Sequence, residues 1–403
     1  MTKWLGVALV SALGACSASV GPGERSRFYG NMPLVVDTRA SVTAGEVPFH
    51  FAPHHIANDD NLLALHMDWF PVPWAEFAAG TAPPPAWERE MDRIAALQQA
   101  LGLPVYLALT PIAGSRDRLA PQATGTSALG QAAPAERCAP LASQPDAESI
   151  RRGYRAYVDY MVARFRPRFL ALSIEVNVYA VNCPAAWDDM KAFLNETYAA
   201  VKSTRPDLTV FHTFQIEWLW QANQQGDPCF GFKRECLGAN WAPLRDLRTD
   251  LFAISTYPIA TYVNAGRRLP DDYLTVFSTF TPAPLAVAET GWQAVTFSGE
   301  VDGRCIPGLP SSEADQRWWM RRLLGDAEHA SMPFVVWWAN EDLMPAAVLA
   351  PCECQDASEW CSFLRGLDRD GRNGIRFFGT MGLRDFDGAP RPALADWKAA
   401  PGR

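Results

Sequence analysis

Two glutamates, Glu175 and Glu289, each stand directly after an apolar run. Phe169-Leu-Ala-Leu-Ser-Ile leads into Glu175-Val176-Asn177, and Pro284-Leu-Ala-Val-Ala leads into Glu289-Thr290-Gly291-Trp292. Burying a carboxylate without a partner is costly. A structural ion pair accounts for one such glutamate as well as a catalytic role does; two at matching positions suggest a carboxyl pair for acid–base or nucleophilic work. Read as extended chain, the segment projects Glu175 and Asn177 to the same side. Other polar groups stand after similar runs: His66 and Asp68-Trp69 after Leu62-Leu-Ala-Leu, Thr256-Tyr257 after Leu251-Phe-Ala-Ile-Ser, and Trp337-Trp338-Ala339-Asn340 after Phe334-Val-Val. Glu217, close behind Phe214-Gln215, is either a substrate contact or a loop ion pair. His66 is equally readable as a hydrogen-bonded core histidine, and alternation sends one of Trp337 and Trp338 outward. Indole faces beside carboxylates and amides suit a carbohydrate ligand.

The elements that must position these groups read as alternating strands and helices. Strands are expected at Leu62–Met67, Val105–Leu109, Phe169–Val178, Leu208–Phe214, Leu251–Ser255, Pro284–Ala288 and Phe334–Trp338, with an eighth near Leu34–Val36 or Phe49–Phe51. Apolar stripes at helical spacing predict helices over Trp87–Leu101, after a cap at Asp146, over Ala185–Lys202, and over Glu313–Leu324 with Ser312 as cap. Continuous apolar strands between amphipathic helices imply an α/β chain with a covered parallel sheet. Eight of them in one long unit, residues 31–403, predict a (β/α)8 TIM barrel with long, disulfide-stapled loops, a doubly wound open sheet being the alternative. The loops are expected at Pro111–Pro145, Gln221–Pro243 and Phe297–Ser312. No glycine-rich phosphate loop follows a strand, which argues against a nucleotide.

The 403 residues carry a net charge of −8 and no basic block, which argues against nucleic acid. At the start, Lys3 precedes the apolar run Trp4–Leu13 and then Gly14-Ala15-Cys16, the pattern of a secretory signal too short to span a membrane as a mature helix. Leu13-Gly14-Ala15-Cys16 also resembles a bacterial lipobox. That predicts a lipoprotein signal over residues 1–15, lipidation at Cys16, a tether over residues 16–30, and an exported protein held by its lipid anchor at the outer membrane or cell surface. Of nine cysteines, the eight after Cys16 read as up to four disulfides in an exported chain. Their spacing completes no zinc site, and the chemistry outlined needs no metal or organic cofactor.

Glu175 after the fourth strand, Tyr257 after the sixth, Glu289 in Ala-Glu-Thr-Gly-Trp after the seventh, and Trp337 or Trp338 at the eighth resemble the clan of retaining β-glycosidases built on TIM barrels (clan A). The textures are nearest to the arabinogalactan endo-β-1,4-galactanases and the endo-β-1,3-glucanases. The closing stretch, Gly382 to Gly388 running to Pro392 and Trp397, is similar as well. The resemblance implies that Glu175 is the general acid/base and Glu289 the nucleophile, that Tyr257 bonds to the nucleophile, and that a tryptophan at the eighth strand floors the reacting sugar's subsite. His66, Asp68, Asn177, Glu217 and Trp292 are further candidates for substrate contact. The clan has asparagine directly before the acid/base glutamate; this chain has Ile174. A second reading is therefore a surface lipoprotein on a degenerate barrel that binds glycan without cleaving it, or that serves only as an interaction scaffold.

Overall fold

Eight of the apolar runs close on themselves. The computed structural model describes residues 27–36, 49–51, 55–220, 229, 232–259, 261, 268–301, 304–343 and 375–402. The parallel barrel consists of β1 (Phe28–Met32), β2 (Leu62–His66), β3 (Val105–Ala108), β4 (Phe169–Ala171), β5 (Thr209–Gln215), β6 (Phe252–Thr256), β7 (Leu285–Thr290) and β8 (Phe334–Ala339), in that order around the ring. β1 closes it, pairing with β8 along its length and with β2 at Gly30–Leu62 and Asn31–Leu63. This is the (β/α)8 barrel that the strand count anticipates.

Period-two alternation divides the core into two layers. Inward positions form one cluster that includes Leu62, Ala64, Ala253, Ala286, Val336 and Trp338. Four inward rings, Tyr106, Phe169, Phe211 and Phe334, pack against one another, Phe169 and Phe334 at 4.6 Å between centroids, so the barrel is filled beneath its mouth. Outward positions such as Leu63, Leu65, Leu107, Ile254 and Val335 belong to the layer packed under the helices. The principal helices are α1 (Pro85–Leu101), α2 (Ala147–Phe165), α3 (Val176–Asn182), α4 (Trp187–Thr204), α5 (Arg234–Trp241), α6 (Glu313–His329) and α7 (Pro392–Lys398). Gly102 ends α1 in the left-handed conformation that a residue without Cβ adopts freely (φ 64°). Ser312 caps α6 by accepting from the Asp315 amide.

Several expectations give way. The eighth strand is Phe28–Met32, which begins within the stretch assigned to a tether; Leu34–Val36 and Phe49–Phe51 pair instead with each other, antiparallel, outside the barrel. Phe169–Val178 is not one strand: β4 stops at Ala171 and α3 starts at Val176, so Glu175 sits at a turn. Phe297–Ser312 is no loop but most of an antiparallel hairpin, Val295–Val301 with Arg304–Ser312. Asp146 precedes α2, but its side chain makes no capping bond.

Two disulfides occur among the described residues, Cys138–Cys183 and Cys229–Cys236, the second spanning only seven positions as their closeness suggested. Cys16, Cys352, Cys354, Cys361 and the side chain of Cys305 lie outside the described residues. No helix among the described residues is long and apolar enough to cross a membrane.

Candidate active site

Strand β6 brings the two glutamates together. Ala253, Ser255 and Tyr257 lie two positions apart, so all three face the barrel axis. The Ser255 hydroxyl donates to Glu175 Oε1 at 2.7 Å, and the Tyr257 hydroxyl donates to Glu289 Oε1. One strand end thus holds one carboxyl at each of two successive inward positions, and the carboxyls are close enough for their charges to act on each other.

Local backbone aims each glutamate. Between β6 and β7 the register runs Ile254–Val287 and then Ser255–Glu289, which leaves Ala288 as an extra residue. Such a β-bulge re-aims the side chain that comes after it. Glu289 turns into the mouth, and Thr290 faces the helix layer, where its hydroxyl accepts from the Trp319 indole. Glu175 adopts a left-handed backbone (φ 51°, ψ 44°), unusual for a residue with a side chain. Its amide donates to the inward Thr213 hydroxyl at 2.8 Å, which fixes the turn.

The electrostatics are those of three carboxyl groups, one imidazole and one guanidinium. Burial, followed by the charge of Glu175, pushes the Glu289 carboxyl well above the usual range; the Tyr257 hydrogen bond and the Arg116 charge oppose this. His66 Nδ1 stands 3.5 Å from Glu289 Oε2, too far for a good hydrogen bond. Burial drives the imidazole down to about 4, so the ring is neutral at pH 7. Arg116, from the long loop after β3, reaches in between the strand ends, 3.3 Å from both Asp68 and Glu175.

An aromatic wall completes the mouth. Trp338 lies 4.4 Å from Phe378, and 6.2–6.3 Å from His66, Trp69 and Tyr257, between ring centroids. Its indole N–H and the Asp68 Oδ1 oxygen are both buried with no hydrogen-bond partner among the described residues. A buried donor and a buried acceptor left over in one mouth are suited to the hydroxyls of a ligand.

Of the residues expected at the site, Glu175, Glu289, Tyr257, His66, Asp68 and Trp338 meet there. Four do not. Trp337 faces outward, as alternation requires of one of the pair, and donates to the Met381 carbonyl at 2.7 Å. Trp292 packs against Trp318 and Trp319 of α6 and donates to Ser311. Asn177, once α3 replaces the expected strand, turns to the β5 backbone, donating to the Gln215 carbonyl and accepting from the Gln215 amide at 2.9 and 2.8 Å. Its amide is spent, so it does not stand in for the asparagine that position 174 lacks, where Ile174 is buried in the inward apolar cluster. Glu217 lies behind β6: its Oε1 accepts from Thr256, the Tyr257 amide and Tyr273 at 2.6–2.8 Å. It supports the backbone that carries Tyr257 and does not face the mouth.

Sequence reasoning missed Arg116, Ser255 and Phe378. Ser255 was readable, since it alternates with Tyr257. Arg116 comes from an irregular loop and Phe378 from a helix of only four residues, Ile375–Phe378, too short for periodicity to point to a direction.

Neither a family model nor a curated protein matches the sequence. Among solved structures, the chain is similar to the GH53 catalytic domain of Ignisphaera aggregans, with 15% identity, 83% of each chain covered and a TM-score of 0.47. It is similar to an exo-β-1,4-mannosidase of Opitutaceae bacterium strain TAV5, with 12% identity over 93% of this chain and 58% of that one and a TM-score of 0.50. It is also similar to GH5_18 of Streptomyces cattleya, solved in complex with GlcNAc, with 15% identity over 84% and 70% of the two chains and a TM-score of 0.50. At these identities the likeness is one of architecture alone: the chain has a (β/α)8 barrel fold.

Proposed function

We propose that the protein is a glycoside hydrolase that cleaves β-linked bonds in a poly- or oligosaccharide by a retaining, two-carboxylate mechanism. The observation that carries this reading is the meeting of Glu175 and Glu289 across β6, each held by its own hydroxyl donor, beside an aromatic wall with unspent polar groups.

The contacts suggest the roles. The hydroxyl of Tyr257 stabilises charge on Glu289 and orients it, as a nucleophile requires. Glu175 donates its proton to the glycosidic oxygen as the anomeric carbon bonds to Glu289; it then takes a proton from the water that releases the sugar. The first step needs Glu289 ionised: burial and the Glu175 charge work against that, and the Tyr257 hydrogen bond and the Arg116 charge work for it.

The second reading, a glycan-binding barrel that does not cleave, draws on the Arg116 contact, which occupies one oxygen of Glu175. Hydrolysis of a panel of β-glycans and aryl β-glycosides separates the two. The wild-type protein is expected to release sugar with retained configuration. Glu289→Gln is expected to lower turnover by at least about 10³-fold, and Glu175→Gln to retain slow turnover only on substrates with good leaving groups. Full activity of the Glu289 variant would overturn the assignment, and glycan binding without any release would favour the second reading.

Export by a lipid anchor at Cys16 belongs to the same proposal. It is supported by the Cys138–Cys183 and Cys229–Cys236 disulfides, which suit an oxidising compartment. Fatty-acid labelling that persists in Cys16→Ser would refute it.

A further inference from the structure

The loop after β3 carries a buried cation into the mouth, and everything around that cation holds it in register with Glu175. Arg116 is 7% exposed. Its Nε donates to Glu175 Oε2 and its Nη2 to Asp68 Oδ2, each at 3.3 Å, and Nη1 donates to the Ala113 carbonyl at 3.2 Å. Its backbone is left-handed (φ 52°), like that of its partner Glu175 (φ 51°). A side-chain-bearing residue keeps that conformation only where its surroundings enforce it.

Those surroundings are tied to α3, the helix that begins just after Glu175. Asn182 at the end of α3 donates to the Arg116 carbonyl at 3.2 Å. The next residue, Cys183, is bonded to Cys138, whose amide donates to the Asp117 carbonyl at 2.7 Å. One end of α3 therefore presents Glu175, and the other end, through the disulfide, grips the turn that presents Arg116.

On the reading of the protein as a retaining hydrolase, we propose that Arg116 is a positioning residue for the acid step, held by the Cys138–Cys183 disulfide so that its guanidinium receives the carboxylate that Glu175 becomes when it gives up its proton. In that step the proton passes from Glu175 to the glycosidic oxygen, the bond from the anomeric carbon to that oxygen breaks, and a bond from the anomeric carbon to Glu289 forms. Negative charge leaves Glu289 and appears on Glu175. Arg116 contacts Glu175 directly, so it stabilises the state after proton transfer more than the state before it, which is the condition for speeding the step. Asp68 keeps the guanidinium paired while Glu175 is protonated, so the cation is never buried alone.

The test is leaving-group dependence. kcat/KM measures the step that forms the glycosyl-enzyme. A 2,4-dinitrophenyl glycoside needs no proton on its leaving group, whereas a natural glycan or an alkyl glycoside does. Arg116→Gln is expected to lower kcat/KM about 100-fold on unactivated glycosides and less than about 3-fold on the dinitrophenyl glycoside, with Arg116→Lys recovering part of the loss. The pair Cys138→Ser with Cys183→Ser, which frees the turn without touching Arg116, is expected to show the same selectivity at about 10-fold. Equal losses on both substrate classes in either set of variants would mark a structural role and overturn the proposal while leaving the hydrolase reading intact. A wild-type protein inert towards both classes would overturn both together.

Discussion

At the scale of single residues, the polar groups around the mouth divide by the side of the strand they occupy, and Glu217 shows the consequence of lying on the far side. Its carboxyl accepts three hydrogen bonds on one oxygen and leaves the second buried without a partner among the described residues. Burial raises it to about 7, from an ordinary value of 4.5. Between those two pH values the folded protein keeps a proton that the unfolded chain releases. The contribution of Glu217 is thus fully present below the lower value and is lost as pH rises through the upper one. The difference corresponds to a few kcal/mol at most. Glu217→Gln keeps an acceptor oxygen for Thr256, Tyr257 and Tyr273 but cannot ionise. Its melting temperature is expected to fall less than that of the wild type between pH 5 and pH 8, and to exceed it at pH 8. Parallel curves for the two proteins would show that the carboxyl does not titrate in this range. The sequence revealed Glu217 as a polar residue after a strand, as it did Glu175. Which face of the chain either would present depended on turns that no alternation rule describes.

At the scale of elements, the legible features are those set by repetition and the illegible ones are its interruptions. Long apolar stripes located α1, α4 and α6 to within a few residues at their starts, because many side chains vote for one helix face. The bulge at Ala288 and the left-handed turn at Glu175 each involve one residue, and they aim the two catalytic candidates. The extended reading of Phe169–Val178 failed because β4 has only three residues before the chain breaks towards α3. Glycines show the same local character, and two of them make opposed predictions. A Cβ on Gly30 would come within 2.7 Å of the Leu62 backbone oxygen, in the short β1–β2 contact that closes the barrel. Gly30→Ala is expected to cost about 1–3 kcal/mol in urea unfolding, since backbone must shift to admit the methyl group. Gly325 lies within α6 with nothing near the point where a Cβ would sit. Gly325→Ala is expected to stabilise by about 0.5–1 kcal/mol, the helix-propensity gain. If both substitutions shifted the midpoint in the same direction, the closeness of β1 to β2 would not be what limits position 30.

At the scale of the whole molecule, the barrel is closed by segments from opposite ends of its sequence, an arrangement that strand counting could anticipate only in outline. β1 joins β8, and the residues around them continue the closure: the Arg27 amide donates to the Gly402 carbonyl, the Tyr29 hydroxyl to the Pro401 carbonyl, and the Trp397 indole to Asp59, with the Tyr29 and Trp397 rings 5.3 Å apart. Asp59 is the hub. It is fully buried, and it accepts from Arg384 through both oxygens at 2.7 and 3.1 Å, from Lys398 at 3.2 Å and from Asn340 at 3.2 Å. Burial works against its charge, but Arg384, Asn340 and Lys398 together hold the carboxyl below its ordinary value. Its contribution is therefore present above the unfolded value near 4 and is lost as pH falls through the depressed folded value. Asp59→Ala would leave Arg384 beside the seam without its main counter-charge, a change that costs about 3–5 kcal/mol when the surviving partner stays buried. The Asp59–Arg384 pair joins positions 325 apart in the sequence, so the loss is expected to fall on the whole barrel and not on one helix. Unfolding followed by tryptophan fluorescence and by far-ultraviolet circular dichroism is expected to shift together to lower urea. A variant that lost α7 in a separate early transition, with the rest of the barrel unmoved, would show that these segments are attached to a structure that closes without them.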